Sequence, residues 1–224
     1  MIEREVFQRK SILFDGLEKF GFIRINGDYI YERKIYDDMI ARVRVSSLGE
    51  VAGEVYDEET GEIYVNYRIE DAAGSFVVGV RNAYIALLEE IAQAVCEEKR
   101  YIGDQTNLID AYIAQKYGVL PEFMWKKFPH FGVYRNASTR KWFAIIMNIG
   151  KGKVVKGESG EVEVMNLKLD ERAAEYLGVG VYPSYHMNHK SWVTVLLDGS
   201  VEDAVIKEML EISYINSFNK TRRK

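Results

Sequence analysis

The chain has 224 residues, 47% of them hydrophobic and 29% charged, with 15 Tyr, 10 Phe and 3 Trp; this is enough apolar material for two packed domains of about 100 residues each and excludes a disordered chain. The net charge of −4 is uneven: residues 1–100 carry 13 Lys/Arg against 20 Asp/Glu and residues 101–224 carry 17 against 14, which is −7 against +3. A phosphate lattice is repelled by the first half, so any nucleic-acid contact is expected in the second.

The opening Met1-Ile2-Glu3-Arg4-Glu5 mixes acid and base, and no stretch approaches the roughly 18 apolar residues of a spanning helix. Neither secretion nor membrane insertion is expected. Ile2, Val6, Leu13, Leu17 and Phe20 predict a helix over 3–20, stopped by Gly21. Met39–Val45 alternates as a half-solvated antiparallel strand, with Arg42 and Arg44 on the wet face. A turn at Asp57-Glu58-Glu59-Thr60-Gly61 joins strands Val51–Tyr56 and Ile63–Tyr67 into a hairpin.

A long helix from Phe76 to Glu98 follows, striped by Val77, Val80, Tyr84, Leu87, Leu88, Ile91 and Val95. The one cysteine, Cys96, reads as a small hydrophobe near its end; it cannot form an intrachain disulfide, which points to a reducing, cytoplasmic setting. The stripe ends in charges at Lys99–Asp104, dividing the chain into domains 1–100 and 101–224, with Asp104 the next N-cap.

The second half reads as a helix over Gln105–Tyr117 stopped by Gly118, strands Phe131–Arg135, Lys141–Ile149 and Glu161–Leu167, and a short helix over Glu171–Leu177. Pro183 falls in a loop before the strand Trp192–Leu197. Ser200 with Asp203 forms a capping box for a final helix whose buried side is Val205, Ile206, Met209, Leu210 and Ile212. The fold class is α+β: two small domains, each an antiparallel sheet packed against helices. Both halves share one element order, on which two small α+β domains converge easily, so duplication is only weakly supported.

Three stretches go beyond generic folding signals: Tyr117–Pro129, with Pro121-Glu122-Phe123-Met124-Trp125-Lys126-Lys127-Phe128-Pro129; Lys141–Met147; and Tyr185-His186-Met187-Asn188-His189-Lys190-Ser191-Trp192. Together, and followed by Leu197-Asp198-Gly199-Ser200, they resemble the MmcQ/YjbR family over about residues 104–218. The resemblance implies a fold similar to the secretion-chaperone and CyaY-like groups, and the family's usual label of DNA-binding protein, which rests on fold comparison.

The residues themselves offer several chemistries. His186 and His189 lack a third ligand nearby, so a metal site is disfavoured. His186 and Asn188 are read either as hydrogen-bonding the loop into shape or, with Lys190, as part of a recognition surface. Nucleic acid would be met by Lys126, Lys127, Arg135, Arg140, Lys141 and Lys190, with Trp125 or Trp142 for stacking. The basic tail Lys220-Thr221-Arg222-Arg223-Lys224 could add nonspecific phosphate contacts.

Lys151, Lys153 and Lys156 lie in Gly150–Gly160, which lacks the Gly-Lys-Ser/Thr of a phosphate loop and reads as a mobile hairpin loop. Asp37, Asp38, Glu50, Glu54, Asp57, Glu58, Glu59 and Glu62 lack calcium-loop spacing and read as strand edges and a turn tip. No nucleophile elbow, Cys/His dyad or dinucleotide fingerprint is present. The expectation is a noncatalytic binding protein without cofactor, its surface made by Trp125, Lys126, Lys127, Arg135, Lys141, Trp142, His186, Asn188, Lys190 and Trp192. DNA is the nominal partner, with a protein partner, in an interaction or chaperone-like role, as the alternative.

Overall fold

The computed structural model describes residues 2–218; the basic run at Lys220–Lys224 lies outside the described residues. The chain is α+β, with antiparallel sheets packed against helices, and divides into two compact units, Met1–Lys99 and Arg100–Lys224.

The first unit runs α1 (Ile2–Phe7), β1 (Lys10–Ile12), α2 (Phe14–Phe20), β2 (Ile23–Ile25), β3 (Asp28–Tyr36), β4 (Met39–Val45), β5 (Val51–Asp57), a 3-10 turn (Asn66–Arg68), α3 (Ser75–Val95) and β6 (Cys96–Glu98). Strands β2 to β5 form an antiparallel meander in chain order, and β1 pairs with β6. Asn26 and Gly27, with φ of 51° and 94°, supply the two-residue turn between β2 and β3. Met39, Ala41, Val43 and Val45 enter the core, where Val80, Tyr84, Leu87, Leu88, Ile91 and Val95 of α3 cover them. Arg42 and Arg44 face outward; Arg42 bonds Glu32 and Glu54, and Arg44 bonds Asp28.

One strand pairing corrects two expectations. Lys10, Ser11 and Ile12 pair with Glu98, Glu97 and Cys96, and the Leu13 amide donates to the Val95 carbonyl at 2.8 Å. Backbone groups that a helix would satisfy internally are thus taken up across the chain, so no single helix spans 3–20 and α3 stops at Val95. Nor is Ile63–Tyr67 a strand. It touches β5 at a single bridge, Tyr56 to Ile63, and the 3-10 turn swings Tyr67 into the core while Ile63 and Val65 stay exposed. The acidic residues of this region serve local structure: Lys34 bonds both Asp38 and Glu58, and Asp57 accepts the amides of Glu59 and Thr60.

Glu3 on α1 is only 4% exposed and accepts hydrogen bonds from the Tyr84 hydroxyl at 2.6 Å and from both terminal nitrogens of Arg68. Burial acts to raise its carboxyl, but Arg68 and Tyr84 more than offset this and hold it below the usual range. The Tyr84 hydroxyl is pushed far up by burial and then by Glu3. Position 53 on β5 must be glycine, because a Cβ there would stand 2.1 Å from the Tyr84 oxygen.

The second unit runs α4 (Asp104–Tyr117), β7 (Glu122–Trp125), β8 (Phe128–Arg135), β9 (Trp142–Gly150), a 3-10 turn (Lys151–Lys153), β10 (Glu161–Lys168), a second 3-10 turn (Asp170–Glu175), β11 (Val181–Pro183), β12 (Trp192–Leu196) and α5 (Asp203–Asn216). Its sheet order is β11-β12-β10-β9-β8-β7, antiparallel throughout. Ile109 and Ile113 of α4 and Ile206, Met209 and Leu210 of α5 share a core with Tyr134, Phe143, Ile146, Met165, Val193 and Val195. A separate apolar cluster holds Val133, Ile145, Met147, Val164 and Leu196, with Trp125, Phe131, Trp142, Val154, Tyr185 and Met187 packed against it. The strands therefore carry near-continuous apolar runs, as a sheet buried on both faces requires.

Several local expectations change here. The cap of α4 is Gly103, not Asp104; the buried carboxylate of Glu163 on β10 accepts the amides of Ile102 and Gly103 at 2.8 Å each, which fixes the chain as it enters the helix. Ser200 does not cap α5, whose N-cap is Glu202, because Asp203 instead accepts a bond from Gln105. Val205 is 36% exposed, and Ser213 takes its expected place in the core by donating to the Phe143 carbonyl. No α-helix spans 171–177, where the chain makes only the short 3-10 turn that ends at Glu175, and Pro183 ends the edge strand β11, where a residue without an N–H is tolerated.

Candidate functional site

The hairpin of β7 and β8 follows Leu120-Pro121 and turns at Lys126-Lys127. A register shift between Phe123 and Trp125 distorts the pairing, and such bulges bend a strand and re-aim its side chains. Trp125 lies edge-on to Phe131 (6.4 Å) and to Trp142 (5.9 Å, 89°), while Phe128 stacks on Phe131 at 4.7 Å. Trp142 opens β9 opposite Arg135 of β8, whose guanidinium sits 5.4 Å from the indole. Arg135 also donates through Nε to Glu122 (2.9 Å), through Nη2 to Met124 Sδ (3.0 Å) and through Nη1 to the Arg140 carbonyl (3.2 Å). Arg140 reaches the other oxygen of Glu122 at 2.7 Å, so Arg135 first and Arg140 next hold the Glu122 carboxyl below its ordinary value. Phe123, Met124 and Phe128 remain exposed at the sheet edge.

The His186 segment is built differently. Asn166 on β10 and Thr194 on β12 are cross-strand partners, both fully buried, and Thr194 Oγ1 donates to Asn166 Oδ1 at 2.6 Å. Together they hold Tyr185 by its backbone: its amide donates to Thr194 Oγ1 (2.7 Å) and its carbonyl accepts from Asn166 Nδ2 (2.8 Å). His186 then adopts a left-handed φ of 62°, its ring 3.9 Å from that of Tyr185, and Lys153 Nζ stands 5.6 Å from the same tyrosine ring. Asn188 closes the loop, its side chain accepting the Lys190 amide and its carbonyl accepting those of Ser191 and Trp192.

The ten residues expected to form one surface therefore separate into two groups. Trp125, Arg135 and Trp142 meet in one cluster, beside the exposed turn Lys126-Lys127; Lys141 precedes β9. His186, Asn188 and Lys190 belong to the β11–β12 loop, at the opposite side of the strand order. Trp192 is buried, which takes it out of reach of a ligand, and Asn188 is committed to its turn. Sequence reasoning missed β7 as a strand, and with it Phe123, Met124 and Phe128. Two apolar runs flanking Lys126-Lys127 were the available signal for a hairpin. Asn166 and Thr194 carried none, because their meeting is cross-strand; Lys153, read only as part of a loop, meets Tyr185 through the tertiary structure.

Among the described residues no cluster of three His, Cys, Asp or Glu side chains is placed to hold a metal ion, and no helix is long and apolar enough to cross a membrane. Two grooves of the first unit, of about 270 and 310 Å³, flank α1, the first lined by Glu3, Arg4, Phe7 and Lys10.

A family model described as YjbR matches residues 114–215, within the second unit. The uncharacterized protein YyaQ of Bacillus subtilis (strain 168) is 30% identical over 105 residues, covering 46% of this chain and 89% of YyaQ. A crystal structure of a protein from Pseudomonas syringae is 33% identical with a TM-score of 0.47, covering 49% of this chain and 96% of that one. A solution NMR structure from the same organism is 30% identical with a TM-score of 0.47, covering 53% and 98%.

Proposed function

The chain belongs to the YjbR family, and we propose that its second unit is a noncatalytic binding module that docks a protein partner on the β7–β8 hairpin. The observation that carries this reading is an edge hairpin that leaves three large apolar side chains, Phe123, Met124 and Phe128, exposed at 43%, 41% and 44%; apolar surface of this kind at a sheet edge marks interaction sites. Interface cores are enriched in aromatic residues, Met and Arg, and Trp125, Phe131, Trp142, Met124 and Arg135 are linked here through direct contacts. Lys126 and Lys127 of the turn form no ion pair among the described residues. The partner is accordingly an extended segment with apolar anchors and acidic flanks.

Duplex DNA is the second reading, favoured by the exposed Lys126, Lys127 and Lys190. It is weakened because Arg135 and Arg140 already share Glu122 and Arg135 covers a face of Trp142. Selection of displayed peptides against the full chain separates the two. Enriched sequences should pair aromatic or aliphatic residues with Asp or Glu, and Met124→Asp or Phe128→Ser should weaken their binding about 30-fold, a hot-spot loss, while Lys190→Ala leaves it unchanged. Peptides without acidic bias, or hairpin variants that bind normally, remove the protein reading. Salt-dependent DNA binding abolished by Lys126→Ala with Lys127→Ala replaces it.

A further inference from the structure

The Asn166–Thr194 pair presents a separate question, because two fully buried polar side chains hold one loop residue, Tyr185, in place. Apolar residues of similar shape fill a core at least as well, so what the polar pair adds is a fixed position for the Tyr185-His186 corner. His186 is exposed and holds a backbone conformation that is rare for residues with a Cβ and concentrated at functional sites. Lys153 faces the Tyr185 ring, and neither it nor Lys156 nor Lys190 forms an ion pair among the described residues. The acidic groups of the adjoining loops are engaged, Glu158 and Asp198 both reaching Lys151. Ser184, next in the chain and 1% exposed, has a hydroxyl without a hydrogen-bond partner among the described residues.

We propose that this corner binds a phosphate monoester. Lys153 supplies the positive charge, the His186 imidazole and neighbouring amides supply N–H donors to the terminal oxygens, and the exposed His186 ring, inclined at 52° to that of Tyr185, offers an aromatic edge or face to a planar group attached to the phosphate. The residues are distinct from those of the hairpin, and the test keeps the two apart. The full chain, isotopically labelled, is titrated in one arm with inorganic phosphate and in the other with a nucleoside 5′-monophosphate, at matched ionic strength. Saturable shifts centred on Tyr185, His186 and Lys153 are expected, weakened about tenfold by Lys153→Ala and unaffected by Phe128→Ser. Tighter binding of the nucleotide supports a base-bearing ligand, and equal binding supports recognition of the phosphate alone. Absence of a saturable shift at this corner in both arms, or undiminished binding by Lys153→Ala, overturns the proposal.

Discussion

Replacing Gly132 on β8 with alanine places a methyl carbon 2.0 Å from the Tyr101 hydroxyl oxygen and 3.0 Å from Pro121 Cβ. Tyr101 has nowhere to retreat. It is 1% exposed, and its hydroxyl lies 3.0 Å from that of Tyr134, which donates to Asp110 at 2.8 Å while Arg100 reaches the other carboxylate oxygen at 2.6 Å. Burial, followed by Tyr101 and Asp110, pushes the Tyr134 hydroxyl far above its ordinary range, so it stays protonated and donating. Overpacking a core costs about 1–3 kcal/mol and a lost buried hydrogen bond about 1 kcal/mol, so Gly132→Ala should destabilise the second unit by about 3 kcal/mol. Tyr101→Phe alone should cost about 1 kcal/mol, yet it removes the atom with which the methyl collides. The double variant should therefore fall short of the sum of the singles by about 1–2 kcal/mol. Equilibrium urea unfolding of the four proteins measures this cycle. If Gly132→Ala lies within about 0.5 kcal/mol of the parent, or if the two changes simply add, the packing argument is wrong.

The Glu3 network makes the first unit sensitive to acid. Because the folded carboxyl lies below its ordinary value of 4.5, its contribution is complete above that pH and is lost as pH falls through the lower folded value; Glu3→Gln should flatten this acid limb in a circular-dichroism titration, and an unchanged limb would assign it to other carboxyls. Glu3→Ala, which strands the Tyr84 hydroxyl and Arg68, should cost about 3 kcal/mol by urea unfolding. Thr194→Val removes the acceptor for the Tyr185 amide, so hydrogen exchange at that amide should accelerate about fivefold or more, while amides within α4 stay protected. Arg42→Ala, by contrast, breaks ion pairs whose members are all more than a third exposed and should shift stability by less than about 1 kcal/mol.

Much of the architecture was readable in advance because it depends on periodicity within one segment. The alternation of Met39–Val45, the stripe of α3 and the glycine stops at Gly21 and Gly118 all hold in the structure. So did the resemblance carried by Tyr117–Pro129, Lys141–Met147 and Tyr185–Trp192, since a family is recognised by its residue order.

What failed depended on partners remote in the chain. The continuous helix over 3–20 loses to the pairing of Lys10–Ile12 with Cys96–Glu98, because backbone groups bond across 84 or more positions that no local window can see. The caps read at Asp104 and Ser200 fail for the same reason: Glu163 bonds the amides leading into α4, whose cap is Gly103, and Gln105 occupies the Asp203 carboxylate that the capping box needs. Residue type marked Trp125, Arg135, Trp142 and His186 as able to bind something. Tertiary structure alone determined which of them share a surface: strand order sends the hairpin cluster and the histidine loop to opposite edges of the sheet, Trp192 is consumed by packing, and Lys153 is delivered to a tyrosine more than thirty residues away. A linear pattern records which face a side chain takes, and contacts between strands are made only when the sheet closes.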